Sequence, residues 1–158
     1  MWDKENGGFF SLVYKKGNVK GDSTKTAYGN AFAIYGLAAY FAQSSDKEAL
    51  ELAKETFYWL ERGAHDPIHK GYFQHLDASG KPIIRPENTP STSDLGYKDQ
   101  NSSIHLLEAF TELYQVWPDP LVRERLEEML LLIRDTIVTD RGYLTLFLQP
   151  DWTPVSFR

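Results

Sequence analysis

The sequence predicts an all-α protein built from helix hairpins, and three observations carry the prediction. Two long segments place apolar residues at every third or fourth position, and each is followed after a short connection by another of the same kind. The two pairs repeat in phase at an offset of 73 positions, as from Lys25 to Lys98. Hairpins of this kind bury their faces by stacking on one another. A chain of 158 residues, 42% apolar, is the size of one domain, 1–158, with a core of its own.

The chain opens on G7-G-F-F-S-L-V-Y, which alternates like a short strand. The charged, turn-like M-W-D-K-E-N-G-G before it gives no expectation of a targeting segment. Helical periodicity then runs over 23–43, from Ser23. Its apolar stretch from Ala31 to Ala42 falls short of the roughly twenty residues that cross a bilayer, so a buried helix is expected. The second helix is expected over 46–63, with Ser45 and Glu48 as a capping box and Ala49, Ala53, Phe57 and Leu60 as its apolar stripe.

A second glycine-aromatic segment, G71-Y-F-Q-H-L-D-A-S-G-K, follows that hairpin. The Pro-rich and polar I83-I-R-P-E-N-T-P-S-T-S-D then predicts a loop over the top of the helices, where binding segments tend to sit. The third helix is expected over 99–116, burying Ile104, Leu107 and Phe110. The fourth is expected over 120–138, with Asp119 as N-cap, Pro120 at the first position, and Val122, Leu126, Leu130 and Ile133 as the stripe. G142-Y-L-T-L-F-L repeats the strand-like closing segment.

Composition excludes several classes of partner. Net charge is −5 with Lys and Arg scattered, so neither nucleic acid nor a membrane surface is an expected partner. The sequence has no cysteine, hence no disulfide framework and no thiolate nucleophile, and a reducing compartment, the cytoplasm, is expected. His65 and His69 suggest a metal site, but Pro67 between them breaks helical geometry and no third ligand accompanies them. They are expected to be loop histidines, with His75 a partly exposed strand residue and no metal or cofactor required. Trp59 and Trp117 are expected in core or capping positions, and Trp152 as either core or pocket wall.

The stretch K98-D-Q-N-S-S-I-H-L-L-E-A-F puts Asn101, His105, Glu108 and Glu112 in line on one helix face. Two readings are open. A polar stripe is an ordinary solvated face. Alternatively, the equivalent face of the first helix is Tyr28, Phe32 and Tyr35, and aromatics beside amide, imidazole and carboxylate make a sugar-like pocket. In that reading His105 and Glu108 are an acid/base pair, the carboxylate orienting the ring for proton transfer.

The runs K25-T-A-Y-G-N-A-F, D46-K-E-A-L-E-L-A, K70-G-Y-F, N101-S-S-I-H-L-L-E-A-F and G142-Y-L-T-L-F-L-Q-P-D-W together resemble the N-acylglucosamine 2-epimerase family, most closely its cellobiose 2-epimerase branch. The resemblance implies an (α/α)6 toroid of six hairpins, with strand-like loops at one end and a sugar site at the centre. It implies a sugar 2-epimerase that removes and returns the C2 proton. His105 matches the first functional histidine of N-x-x-x-H-x-x-E-A, Asn101 would bind hydroxyls, Glu108 would orient the site, and Tyr28 would line the pocket. A G-H-D-x-E segment with a later histidine, and an upstream arginine-bearing helix, belong to the family pattern and are absent here.

The expectation is therefore a partial toroid domain, an internal piece with little activity by itself, completed by the remainder of the toroid or by copies of itself. A non-catalytic helical-repeat module that binds a glycan or peptide is the alternative.

Overall fold

Each hairpin is entered through a lysine and a capping residue, and from there the helices run much as the periodicity predicts. A computed structural model describes residues 1–19 and 24–155. Strand β1 (Lys25–Thr26) leads into α1 (Ala27–Ser44) and α2 (Lys47–Gly63), and β2 (His75–Leu76) follows. Strand β3 (Lys98–Asp99) leads into α3 (Gln100–Val116) and α4 (Pro120–Leu132). A π-helical turn, Ile133–Ile137, extends α4, and β4 (Phe147–Leu148) ends the second unit. The sequence places the start of the first helix at Ser23, which lies outside the described residues.

Each hairpin is closed by its own two-stranded antiparallel sheet. β1 pairs with β2, Lys25 opposite Leu76 and Thr26 opposite His75; β3 pairs with β4, Lys98 opposite Leu148 and Asp99 opposite Phe147. The residue that ends the first strand of each sheet also caps the next helix. The Thr26 hydroxyl accepts from Gly29 N–H, and the Asp99 carboxylate accepts from Ser102 N–H, so each helix start is locked to its sheet.

α1 packs against both α2 and α3, and α3 against α4. The buried residues of α1 are Ala27, Asn30, Ala31, Ile34 and Ala38, and the small alanines leave room for α3. α3 answers with Ser102, Ser103, Leu106, Ala109, Phe110 and Leu113. Ile104 and Leu107, expected in the core, are half-buried instead, because the Ser/Ala row faces the alanines of α1. Buried hydroxyls there do not go unpaired: Ser102 Oγ and Ser103 Oγ donate to Asp99, each at 2.7 Å.

Other differences also have local causes. Ser45 is not the cap of α2. It turns the chain at φ 57 as the left-handed end of α1, and Asp46 accepts from Glu48 N–H in its place. Asp119 and Pro120 start α4 as expected. Of the predicted α4 stripe, Val122 is buried but Leu130 is 50% exposed, since the face turned to α3 is that of Met129. Trp59 is a core residue: its indole donates to Asn6 O at 2.8 Å and covers Gly8, where an added Cβ would stand 2.7 Å from Cζ2.

The units are joined by buried lysines. The Lys25 ammonium bonds Asp3 Oδ2 at 2.7 Å, Gly7 O at 2.6 Å and Ala78 O at 2.7 Å. The Lys98 ammonium bonds Asp66 Oδ2 at 2.8 Å and Lys70 O at 2.7 Å. Both lysine side chains are fully buried, under Trp59 and Phe10 in one case and Trp152 and Phe73 in the other. Burial disfavours the Asp3 charge, but hydrogen bonds from Lys25 and from the Glu5 and Asn6 amides outweigh it and hold the carboxyl at about 2. Asp66 is shifted down in the same way through Lys98 and the His69 and Ile68 amides. On the ammonium the balance reverses: burial pushes Lys98 down, with Asp66 opposing.

Removing one partner leaves the other charge buried and alone, so Lys98→Met is expected to destabilise the chain by about 3–5 kcal/mol in urea unfolding. Because the Asp3 carboxyl is lowered from 3.8 to about 2, its contribution is present above the unfolded value and lost as pH falls. The urea midpoint should therefore drop between about pH 4 and pH 2, and the drop should be smaller in Asp3→Asn.

Candidate functional site

Because α1 and α3 both start at a capped strand and lie side by side, their first turns meet. The Tyr28 ring stands edge-on to the His105 ring at 5.2 Å between centroids, and Phe32 lies 4.6 Å from it at 47°. Tyr28 and Phe32 also touch each other, 5.0 Å apart. Three rings from two helices thus form one cluster, and it is not sealed: Phe32 is 43% exposed and the His105 side chain 26%.

The His105 ring is aimed by its own helix. Nδ1 lies 2.7 Å from Glu108 Oε2, three residues on. A carboxylate has no hydrogen to give, so Nδ1 donates, and in the neutral ring Nε2 keeps the lone pair. Glu108 is half exposed, where such a pair adds little to stability; its effect is to choose the tautomer and hold the ring. The backbone of Tyr28 is held as well, its N–H donating to Gln74 Oε1 at 3.1 Å while Ala27 N–H donates to Gln74 O at 2.9 Å.

The remaining sequence candidates fall in two places. Asn101 is exposed one turn before His105, and Tyr35 stands one turn beyond Phe32, 42% exposed. Trp152 packs beside β3 and the turn at Gly71. It is 8% exposed, its indole donates to His69 O at 2.7 Å, and it covers the Lys98 ammonium at 4.6 Å.

His65 is bound to Glu128, Nε2 to Oε1 at 2.9 Å, in a half-buried network with Arg125, Glu61 and Tyr72 between the two hairpins. Among the described residues no group of three or more His, Cys, Asp or Glu is placed to hold a metal. A concavity of about 590 Å³ between Trp2, Asp3, Phe10 and Ala78 contains none of the cluster residues.

Sequence reasoning missed the partners of the two lysines. The signal was present: D3-K-E-N-G-G-F-F and D66-P-I-H-K-G-Y-F share Asp, Gly and two aromatics at one spacing, and each Asp accepts the lysine that opens the next unit.

The pattern that defines the family described as N-acylglucosamine 2-epimerase (GlcNAc 2-epimerase) matches residues 1–156. The chain is 31% identical over 157 residues to a cellobiose 2-epimerase of Dictyoglomus turgidum, covering 97% of this chain and 39% of that protein. It is 34% identical over 146 residues to a cellobiose 2-epimerase of Ruminococcus albus, covering 92% and 36%. The solved structure of cellobiose 2-epimerase from Spirochaeta thermophila superposes with a TM-score of 0.83 at 37% identity, covering 98% of this chain and 38% of that one. The chain therefore spans well under half the length of the relatives it matches.

The tautomer is directly checkable. Nitrogen-15 spectra of the imidazoles above their titration range should show His105 protonated on Nδ1 and bare on Nε2. In Glu108→Ala that preference should disappear.

Proposed function

The chain belongs to the N-acylglucosamine 2-epimerase family, and from that premise we propose that it forms one wall of a sugar pocket in an enzyme that inverts an aldose at C2. The observation that carries this is the His105 imidazole, oriented by Glu108 and set against the half-buried Tyr28 and the exposed Phe32. The two hairpins are then consecutive units of an (α/α)6 toroid, with α1 and α3 in the inner ring, α2 and α4 in the outer one, and the small sheets at one end.

In the reaction, Tyr28 and Phe32 stack on the C–H face of the sugar and Asn101 bonds its hydroxyls. His105 Nε2 takes the C2 proton of the open-chain sugar, and the electron pair moves into C1–C2 as the C1 carbonyl becomes an enediolate oxygen. Return of a proton to the opposite face of C2 gives the epimer. One imidazole reaches one face, so the second acid/base belongs to units beyond these two hairpins, from a longer chain or from further copies of this one.

The 158-residue chain, incubated in deuterated water with cellobiose or N-acetylglucosamine, should bind sugar saturably and place no deuterium at C2. His105→Ala should loosen binding by about tenfold, the loss of one hydrogen bond and a ring contact. Deuterium at C2 from this chain alone would contradict the need for a second base. Binding indifferent to His105→Ala would favour a non-catalytic carbohydrate-binding module.

A further inference from the structure

The turns that follow β2 and β4 are built alike and filled differently. Residues 77–81 close with Gly80 N–H donating to Asp77 O and Asp77 N–H to Lys81 O; residues 149–153 close with Trp152 N–H to Gln149 O and Gln149 N–H to Thr153 O. Gly80 and Trp152 therefore hold the same place, and both have positive φ, 92 and 69. That region is open to glycine and strained for a residue with a Cβ. The facing helix position is exchanged in step. Trp59 stands over Gly80 in the first unit, and its repeat partner Leu132 packs beside Trp152 in the second.

Each tryptophan thus covers a buried lysine, from opposite sides. Trp59 Nε1 donates to Asn6 O at 2.8 Å with its ring 5.3 Å from Lys25 Nζ. Trp152 Nε1 donates to His69 O at 2.7 Å with its ring 4.6 Å from Lys98 Nζ. Their supports are unequal, because Trp59 belongs to the hydrogen-bonded body of α2 and Trp152 to a turn. Turn 77–81 is braced by Asp77 Oδ1, which accepts from the Ser79 and Lys81 amides and the Ser79 hydroxyl. It is braced again by Ala78 O, which takes the third hydrogen of Lys25. In turn 149–153, among the described residues, Asp151 braces Thr153 alone, through its amide at 3.0 Å. Lys98 has two oxygen acceptors there, and the rings of Trp152 and Phe73 stand where a third would be.

We propose that residues 149–153 form a latch over the joint between the two hairpins, which Trp152 closes on Lys98 and opens by leaving its left-handed conformation while the Lys25 joint stays shut. Swinging the indole away uncovers the Lys98–Asp66 pair, and water weakens the attraction that fixes the start of α3. The opening therefore acts on the register of His105 against Tyr28, a conformational control of the ring cluster that holds whichever ligand the cluster takes.

Hydrogen exchange of the indole N–H groups in the 158-residue chain tests this, since both are bonded to a backbone carbonyl at nearly the same distance. In nitrogen-15 spectra after transfer to deuterated water, the Trp152 indole should exchange at least about tenfold faster than that of Trp59. One rate for both, or faster exchange at Trp59, overturns the latch. Leu132→Trp combined with Trp152→Gly copies the first unit's arrangement into the second, and the indole at position 132 should exchange as slowly as that of Trp59. Fast exchange there would trace the weakness to the Lys98 joint itself and overturn the role of the turn. Trp152→Gly alone, in a chain that keeps its helicity, should weaken the ring-to-ring Overhauser contacts of His105 with Tyr28; unchanged contacts overturn the coupling to the cluster.

Discussion

The Lys98 ammonium ties the first residue of the second hairpin to the turn that ends the first, and Lys25 makes the same tie to the opening turn of the chain. Everything about the ring cluster depends on that contact. A helix face can place Tyr28 or His105 only relative to its own neighbours; it takes a fixed point at the start of each helix to bring residues of two helices within 5.2 Å. A buried ion pair suits this purpose better than an apolar contact of equal area. An apolar contact tolerates sliding by a turn, whereas an ammonium denied its carboxylate is costly in every other register.

Chemistry follows from that register. An imidazole on an isolated helix with a carboxylate three residues on is common and does nothing in particular. Set against a tyrosine and a phenylalanine from the neighbouring helix, partly open to solvent and with its free nitrogen determined by Glu108, it has the features on which the proposed role as a base beside a sugar-stacking surface rests.

Much of this was legible in the sequence, and the parts that were not share a cause. The hairpins, the Asp119–Pro120 start and the placing of Tyr28 and Phe32 on the face of α1 equivalent to that of His105 on α3 all follow from periodicity and spacing, which are local properties. Of the row expected for α3, Phe110 is buried, but Ile104 and Leu107 give way to Ser103 and Leu106 because that part of the row is set by the alanines of α1, a property of the neighbour. Ser45 was mistaken for a cap because its use as the left-handed end of α1 depends on how short the connection is. Trp152, open between core and pocket wall in the sequence, is nearly buried and covers Lys98. Arg85, in a loop the sequence places over the top of the helices, holds that loop through the carbonyls of Ser93, Leu95 and Pro90, which no side-chain pattern records.

The central claim is that the buried Lys98–Asp66 contact sets the register in which His105 meets Tyr28. Proton–proton Overhauser contacts between the His105 and Tyr28 rings test it most directly, compared in the parent chain and in Lys98→Met under conditions where both remain helical. The account predicts clear ring-to-ring contacts in the parent and their loss or relocation to another residue of α1 in the variant. Contacts that persist unchanged without the lysine would contradict it.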